Sequence, residues 1–109
     1  MKNPDPLEKD IEKRVCDHAK SLGILCYKFT SPSRRSVPDR MFVLPGGRMF
    51  MIEFKRKGKE PTAAQSVEIE KLRNQGVTVY VIDNTKDGKF TIDSEFHRTV
   101  PRKDPLEGY

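Results

Sequence analysis

The chain has no tryptophan and only two cysteines and two histidines among its 109 residues. Cys16 and Cys26 show no CxxC spacing and no adjacent histidine, so neither a zinc site nor a disulfide framework is suggested, and both read as small buried hydrophobes. His18 falls in a helical stretch and His97 near a weakly patterned tail, which makes each a structural residue before a catalytic one. Long apolar runs are also missing. None reaches the roughly 18 residues of a membrane span, and the opening MKNPDPLEKD lacks the apolar core of a secretory signal. An intracellular, cytoplasmic protein with no membrane contact is expected. The length suits one domain, with no room for a second catalytic unit, and there is no internal repeat.

Charge is what the chain has in quantity. With 34% charged and 35% hydrophobic residues and a mean hydropathy of -0.71, its core should be thin enough to benefit from oligomerisation. A net charge of +5 and a pI near 9.3 favour an anionic partner. The positive residues cluster: Arg34, Arg35 and Arg40 flank one acidic position, while Lys55, Arg56, Lys57 and Lys59 follow another. One such cluster alone reads as a solvated loop, but two that bracket an acidic pair point to nucleic acid.

The pattern of elements is that of a small α/β domain. Asp5, Pro6 and Glu8 have the form of a helix start, with Asp5 as cap and Glu8 at the third position. Leu7, Ile11, Val15, Ala19 and Leu22 then recur at helical spacing until Gly23. Residues 24–29 are strand-like, and 30–37 read as a loop rich in serine, proline and arginine. Two strands, 39–44 and 48–57, flank Pro45-Gly46-Gly47 as a hairpin. Thr62 to Gln65 forms a capping box for a second helix that ends at Gly76, and 77–82 is a short apolar strand suited to burial beside a parallel neighbour. The order αβββαβ implies a mixed sheet flanked by helices. Residues 84–89 read as a turn, 90–92 as a short edge strand, and 101–109 as a disordered tail. The domain is therefore taken as 1–92, with a partly disordered extension over 93–109.

Within this pattern Pro38-Asp39 is followed fourteen residues later by Glu53 and then by Lys55, each set in an apolar segment. Unpaired charges there are costly, and a divalent metal is their natural partner. Glu53 and Lys55 share a strand face. Asp39 joins them only if the hairpin loop has three residues, 45–47, which pairs position 39 with 53; a two-residue loop pairs it with 54. Gly47 fits the left-handed position of the longer loop. Asp39 and Glu53, with the Phe54 carbonyl as a third oxygen, suit Mg2+ or Mn2+. Lys55 is placed to orient the attacking water and offset charge on a scissile phosphate. A plainer reading uses the same residues: Pro-Asp opens a turn, and Glu53 with Lys55 forms a surface ion pair. On spacing alone, Glu8 and Gln65 are helix caps.

The string SPSRRSVPDRMFVLPGGRMFMIEFKRKGKEPTAAQ resembles the stand-alone VRR-Nuc nucleases of the PD-(D/E)xK superfamily, found in phages and bacteria and as the catalytic domain of a larger eukaryotic repair nuclease. The similarity runs from about Leu7 to Asp83 and leaves out 93–109. It implies a restriction-endonuclease-like core, Mg2+- or Mn2+-dependent cleavage of DNA and, for short members, homodimers that resemble Holliday junction resolvases. Asp39 and Glu53 are then metal ligands, Lys55 the catalytic lysine, and Gln65 and Glu8 additional site residues. Ser36 departs from the glycine frequent before Val-Pro-Asp, which bears on the path of the substrate loop. Together with the charge clusters, this leads to the expectation of a homodimeric endonuclease for four-way or other branched DNA, without a small-molecule cofactor, whose substrate phosphates meet Ser31, Arg34, Arg35, Arg40, Arg56, Lys57 and Lys59. A flap or nicking nuclease and a non-catalytic DNA-binding module of the same fold are the alternatives.

Overall fold

The computed structural model describes residues 7–29 and 36–99. The elements run α1 (Glu8–Ser21), β1 (Leu25–Lys28), β2 (Arg40–Val43), β3 (Met49–Phe54), α2 (Ala63–Asn74), β4 (Val79–Ile82) and α3 (Thr85–Thr99). The four strands form one sheet in the order β1-β2-β3-β4; β2 is antiparallel to both neighbours and β4 is parallel to β3. This is the small mixed sheet flanked by helices that the hydrophobic pattern predicts.

β3 is the centre of the molecule, and every residue from Phe50 to Phe54 is buried. Its alternation divides the core in two. Phe50, Ile52 and Phe54 join Phe42, Leu44 and Ile24 under the α1 residues Ile11, Val15 and Ala19, with Ile82 and Ile92 completing the cluster. On the opposite face Met51 packs with Ile69 and Val79, and Leu72 and Val77 lie against them. Both α1 and α2 end in Schellman closures. Gly23, at φ 81°, donates to Lys20 while Ile24 donates to Ala19; Gly76, at φ 96°, donates to Arg73 while Val77 donates to Leu72. Each closing pair, Ala19 with Ile24 and Leu72 with Val77, also belongs to a core cluster, so the helix stop and the packing support one another.

Two expectations are corrected. The first described residue of α1 is Glu8; Leu7 is the cap, with no side-chain hydrogen bond, and its carbonyl accepts from both Asp10 and Ile11. Glu8 therefore opens the helix and holds no third-position capping role, while Asp5 and Pro6 lie outside the described residues. The second correction is larger. Residues 85–99 form one continuous helix where a turn and an edge strand are expected, and it crosses the 92/93 position without a break. Asn84 is its cap: the side-chain oxygen accepts from the Asp87 amide at 2.7 Å and its side-chain nitrogen donates to the Asp87 carboxylate at 2.9 Å. The turn signal at 84–89 is a helix start. Gly88, Ile92 and Glu95 then face inward at helical spacing, and Phe90 stays 70% exposed. The pleated reading of 90–92 fails because one inward residue in four is the helical period, not the strand period.

Gly88 marks the close approach of α3 to α1. A Cβ there would collide with a methyl of Val15, which is fully buried and cannot turn away, and would press on Ile82. Alanine is the better helix former by about 1 kcal/mol, yet overpacking costs about 1–3 kcal/mol. Gly88→Ala should therefore lower stability by up to about 2 kcal/mol in chemical denaturation, and Val15→Ala in the same chain should recover part of the loss. A Gly88→Ala midpoint at or above wild type would show that the two helices separate freely.

Candidate active site

The hairpin loop has three residues, as the Pro45-Gly46-Gly47 sequence predicts. The Leu44 amide donates to the Arg48 carbonyl at 2.8 Å, and both Gly46 and Gly47 sit at φ 98°, a region closed to most side chains. The ladder then pairs Val43 with Met49 and ends at Arg40 with Ile52. One further step sets Asp39 opposite Glu53, and both point to the α2 face of the sheet.

Pro38 shapes the next position. Continued once more, the register puts this fully buried proline opposite Phe54. Proline has no N–H to give to the Phe54 carbonyl. The Phe54 amide instead donates to Asp39 Oδ2 at 2.8 Å. Since the N–H and C=O of an extended residue leave on the same side, the Phe54 carbonyl emerges beside Asp39. The Pro-Asp pair thus ends the ladder and leaves a carboxylate and a carbonyl close together.

Glu53 is only 1% exposed. One carboxylate oxygen, Oε2, accepts from Gln65 Nε2 at 2.9 Å and lies 3.4 Å from Lys55 Nζ. The other, Oε1, is buried with no hydrogen-bond partner. Burial pushes the Glu53 acid up to about 7, the Asp39 charge adds to the rise, and Lys55 opposes it. Asp39 is also raised, first by burial, against the lowering effect of the Phe54 amide. Gln65 has two roles at once. Its Oε1 accepts from the Thr62 amide at 2.9 Å, completing the capping box of α2, and this leaves Nε2 to donate to Glu53. The helix start and the acid are held by one side chain.

An unsatisfied buried acceptor costs about 1–3 kcal/mol, and a hard cation at Glu53 Oε1 would remove that cost. The nearby donors, two carboxylates and a main-chain carbonyl, are all oxygen, which suits Mg2+ or Mn2+ over the softer metals. Among the described residues no three histidine, cysteine or acidic side chains gather to hold a metal. A cation here would have at most two carboxylates and the Phe54 carbonyl from the protein and would take its other ligands from water or phosphate, an arrangement Mg2+ accepts.

Glu8, the first residue of α1, lies within electrostatic reach of Asp39 and Lys55. Its acid is raised by partial burial and by Asp39, and lowered by Lys55 and Lys28. Two further neighbours are absent from the set that the sequence suggests. Glu12, one turn further along α1, contributes to the rise at Asp39, and Lys28 contributes a lowering there. Signals for both exist in the chain: Glu12 is four residues from Glu8 on one helix, and Lys28 pairs with Arg40 in the ladder. Arg40 itself is bound to Glu12 and is 24% exposed, so its guanidinium bridges β2 and α1 in place of facing outward. Arg56, Lys57 and Lys59 form an exposed turn directly after Lys55. The Lys59 amide closes it on Arg56, and Asp83 Oδ2 accepts from the Gly58 amide at 3.0 Å, anchoring it to the end of β4. Ser31, Arg34 and Arg35 lie outside the described residues.

Among known proteins, no family model matches the chain. A phage protein named "Putative nuclease p44", from Acyrthosiphon pisum secondary endosymbiont phage 1, is 40% identical over 77 residues, covering 71% of this chain and 83% of that protein. A solved structure described as a VRR_NUC domain superposes with a TM-score of 0.73 at 28% identity, over 79% of this chain and 94% of its own. A second, a VRR_NUC domain protein, has a TM-score of 0.66 at 15% identity over 87% of this chain and 91% of its own, and speaks for the fold. The sequence likeness to a nuclease and the structural likeness to a VRR_NUC domain converge on the chain that carries the Pro38-Asp39, Glu53 and Lys55 hairpin, which belongs to the VRR-Nuc family of nucleases.

Proposed function

We propose that this VRR-Nuc nuclease is an endonuclease that hydrolyses phosphodiester bonds in branched DNA, four-way junctions foremost, with Mg2+ or Mn2+ held by Asp39, Glu53 and the Phe54 carbonyl. The observation that carries the reading is Glu53 Oε1: a buried carboxylate oxygen without a partner, aimed into a site whose other members are each tied in place. Such a cation, when bound, polarises the phosphate and makes a water molecule a better nucleophile.

The residues divide the remaining work. Gln65 and Lys55 hold Glu53 by the same oxygen, which fixes the direction of the other. Lys55, 13% exposed, keeps its ammonium at the site edge, where it orients the attacking water and offsets charge on the phosphate as the P–O bond to the leaving sugar oxygen breaks. The basic turn at Arg56, Lys57 and Lys59 contacts backbone phosphates, which confers affinity with little sequence reading. A homodimer would supply two such sites for the two symmetric strands of a junction. Its likeness to a phage nuclease supports work on DNA inside the host cell, in the cytoplasm.

Substrate preference is tested with a labelled four-way junction, a flap and a plain duplex in Mg2+ or Mn2+. Paired cuts in the junction are expected, at least tenfold faster than in duplex. Equal cutting of all three removes the structural preference, and no cutting of any removes the metal-dependent nuclease. Asp39→Ala and Lys55→Ala should abolish cleavage while leaving junction binding within about threefold.

Metal affinity should follow the Glu53 proton. At limiting metal, cleavage should rise with pH through about 7 and level off above it, because the ligand must be deprotonated. A flat profile between pH 6 and 8 at subsaturating metal would contradict this.

Glu53→Gln separates activity from stability. The folded acid holds its proton to about 7 against a reference of 4.5, so the unfolded chain ionises first and stability declines as pH rises between these values. The neutral amide avoids that loss. At pH 8 without metal, Glu53→Gln should be more stable than wild type by on the order of 1–3 kcal/mol, and inactive with metal. The stability gain should vanish near pH 4, where both side chains are neutral.

A further inference from the structure

The mechanism uses neither cysteine, yet the structure brings them together. α1 places Cys16 on its buried face at 4% exposure, and β1 turns Cys26 toward it from a position opposite Phe42 in the ladder. The two Sγ atoms are 2.9 Å apart, in hydrogen-bond contact and not joined. Their surroundings differ. Cys26 is half-buried and lines an open surface pocket of about 340 Å3 with Lys20, Gly23, Ile24, Leu25 and Tyr27. Arg40 Nη1 also points at Cys26 Sγ, at 3.9 Å. One sulfur is thus reachable and faces a cation, and the other waits behind it.

We propose that Cys26 and Cys16 are a reactive and resolving pair that closes to an intramolecular disulfide when the protein meets a hydroperoxide. The Cys26 thiolate attacks one peroxide oxygen, the O–O bond breaks, hydroxide leaves, and Cys26 becomes a sulfenic acid. Cys16 Sγ then attacks the Cys26 sulfur. The S–O bond breaks, and the departing hydroxide takes up the Cys16 proton as water. Two thiols lose two electrons and the peroxide gains them. The division of roles agrees with the acidities: the Cys16 hydrogen bond and Arg40 hold the Cys26 thiol below the usual range, whereas the hydrogen bond to Cys26 and burial raise Cys16. The product ties α1, which carries Glu8 and Glu12, to β1, which carries Lys28.

The test treats the reduced full-length protein with a small excess of hydrogen peroxide, followed by denaturation, thiol alkylation and mass spectrometry. The expected product is a monomer lighter by two hydrogen atoms, with neither cysteine alkylated, a peptide linking Cys16 to Cys26, and full reversal by dithiothreitol. Its thermal midpoint should rise by roughly 10 °C, as closing a short loop in the unfolded chain implies. Two alkylated cysteines after treatment, a disulfide between chains, or over-oxidised Cys26 beside an alkylated Cys16 would each overturn the proposal. Cys16→Ser should stop at a Cys26 sulfenic acid trapped by a 1,3-dione. Faster oxidation of Cys16 in Cys26→Ser than of Cys26 in Cys16→Ser would overturn the assignment of roles.

Discussion

The site depends on the parity of the hairpin. Strand side chains alternate, so a loop one residue shorter at Pro45-Gly46-Gly47 would send Asp39 to the face of α1 and α3, among Phe42, Phe50 and Phe54, with Glu53 left on the other side. Two consecutive residues at φ 98° set that parity. A side chain at either position would strain the longer loop and favour other registers. Once the register is set, the remaining geometry derives from it. Pro38 meets Phe54 and ends the ladder, Asp39 takes the stranded amide, and Lys55 emerges two residues from Glu53 on the same face.

Holding Glu53 in this place has a cost that other parts of the molecule offset. A carboxylate at 1% exposure with one unpartnered oxygen lies in the unfavourable range for a buried polar group. Around it the chain stacks interactions of about 1 kcal/mol each: the capping box at Thr62, and the closures at Gly23 and Gly76 that return each helix to its own core cluster. Gln65 connects the cap to the acid. Its capping bond secures α2 to Thr62, and the same amide, so fixed, can only donate toward Glu53. The position of α2 over Met51 and Val79 therefore determines where the acid points.

Most of this is legible in the sequence for physical reasons. Ile11, Val15 and Ala19 read correctly because one apolar stripe packs against one sheet face; β4 is parallel to β3 as its apolar run suggests, but it lies at the sheet edge with Val81 37% exposed, so the expected burial on both faces does not hold. The Asp39, Glu53 and Lys55 alignment is recoverable from the two glycines. α3 is not, because Asn84, Asp87 and Gly88 carry turn chemistry and helix-start chemistry in the same atoms. Only the neighbour decides between them: Gly88 is small because Val15 lies against it, a contact between residues 73 apart in sequence. Arg40 misleads for a related reason. Its charge predicts an outward phosphate contact, but Glu12 comes within reach only once α1 is folded onto β2. Glu8, expected as a cap, is released from that role by a helix that opens at Leu7.

Glu95 shows why burial alone does not identify the site. It is as buried as Glu53, at 1% exposure, although it projects from the last helix. Yet Arg48 donates to Oε1 at 2.7 Å and to the Glu95 main-chain carbonyl at 3.0 Å, Tyr80 donates to Oε2, and Arg98 approaches Oε2 at 3.5 Å. Burial would raise this acid, but Tyr80 and the two guanidinium groups outweigh it and leave it lowered. Both oxygens of Glu95 are satisfied, so it has nothing to offer a ligand and serves to lock α3 to β4 and the hairpin. Glu53 has one donor cation at 3.4 Å, one amide, and an oxygen with nothing. Two carboxylates of equal burial thus have opposite acidities, and the difference lies in which of them the fold has left incomplete. An incomplete buried acid is unstable by itself and would gain stability from a cation, which is the property the proposed metal site draws on.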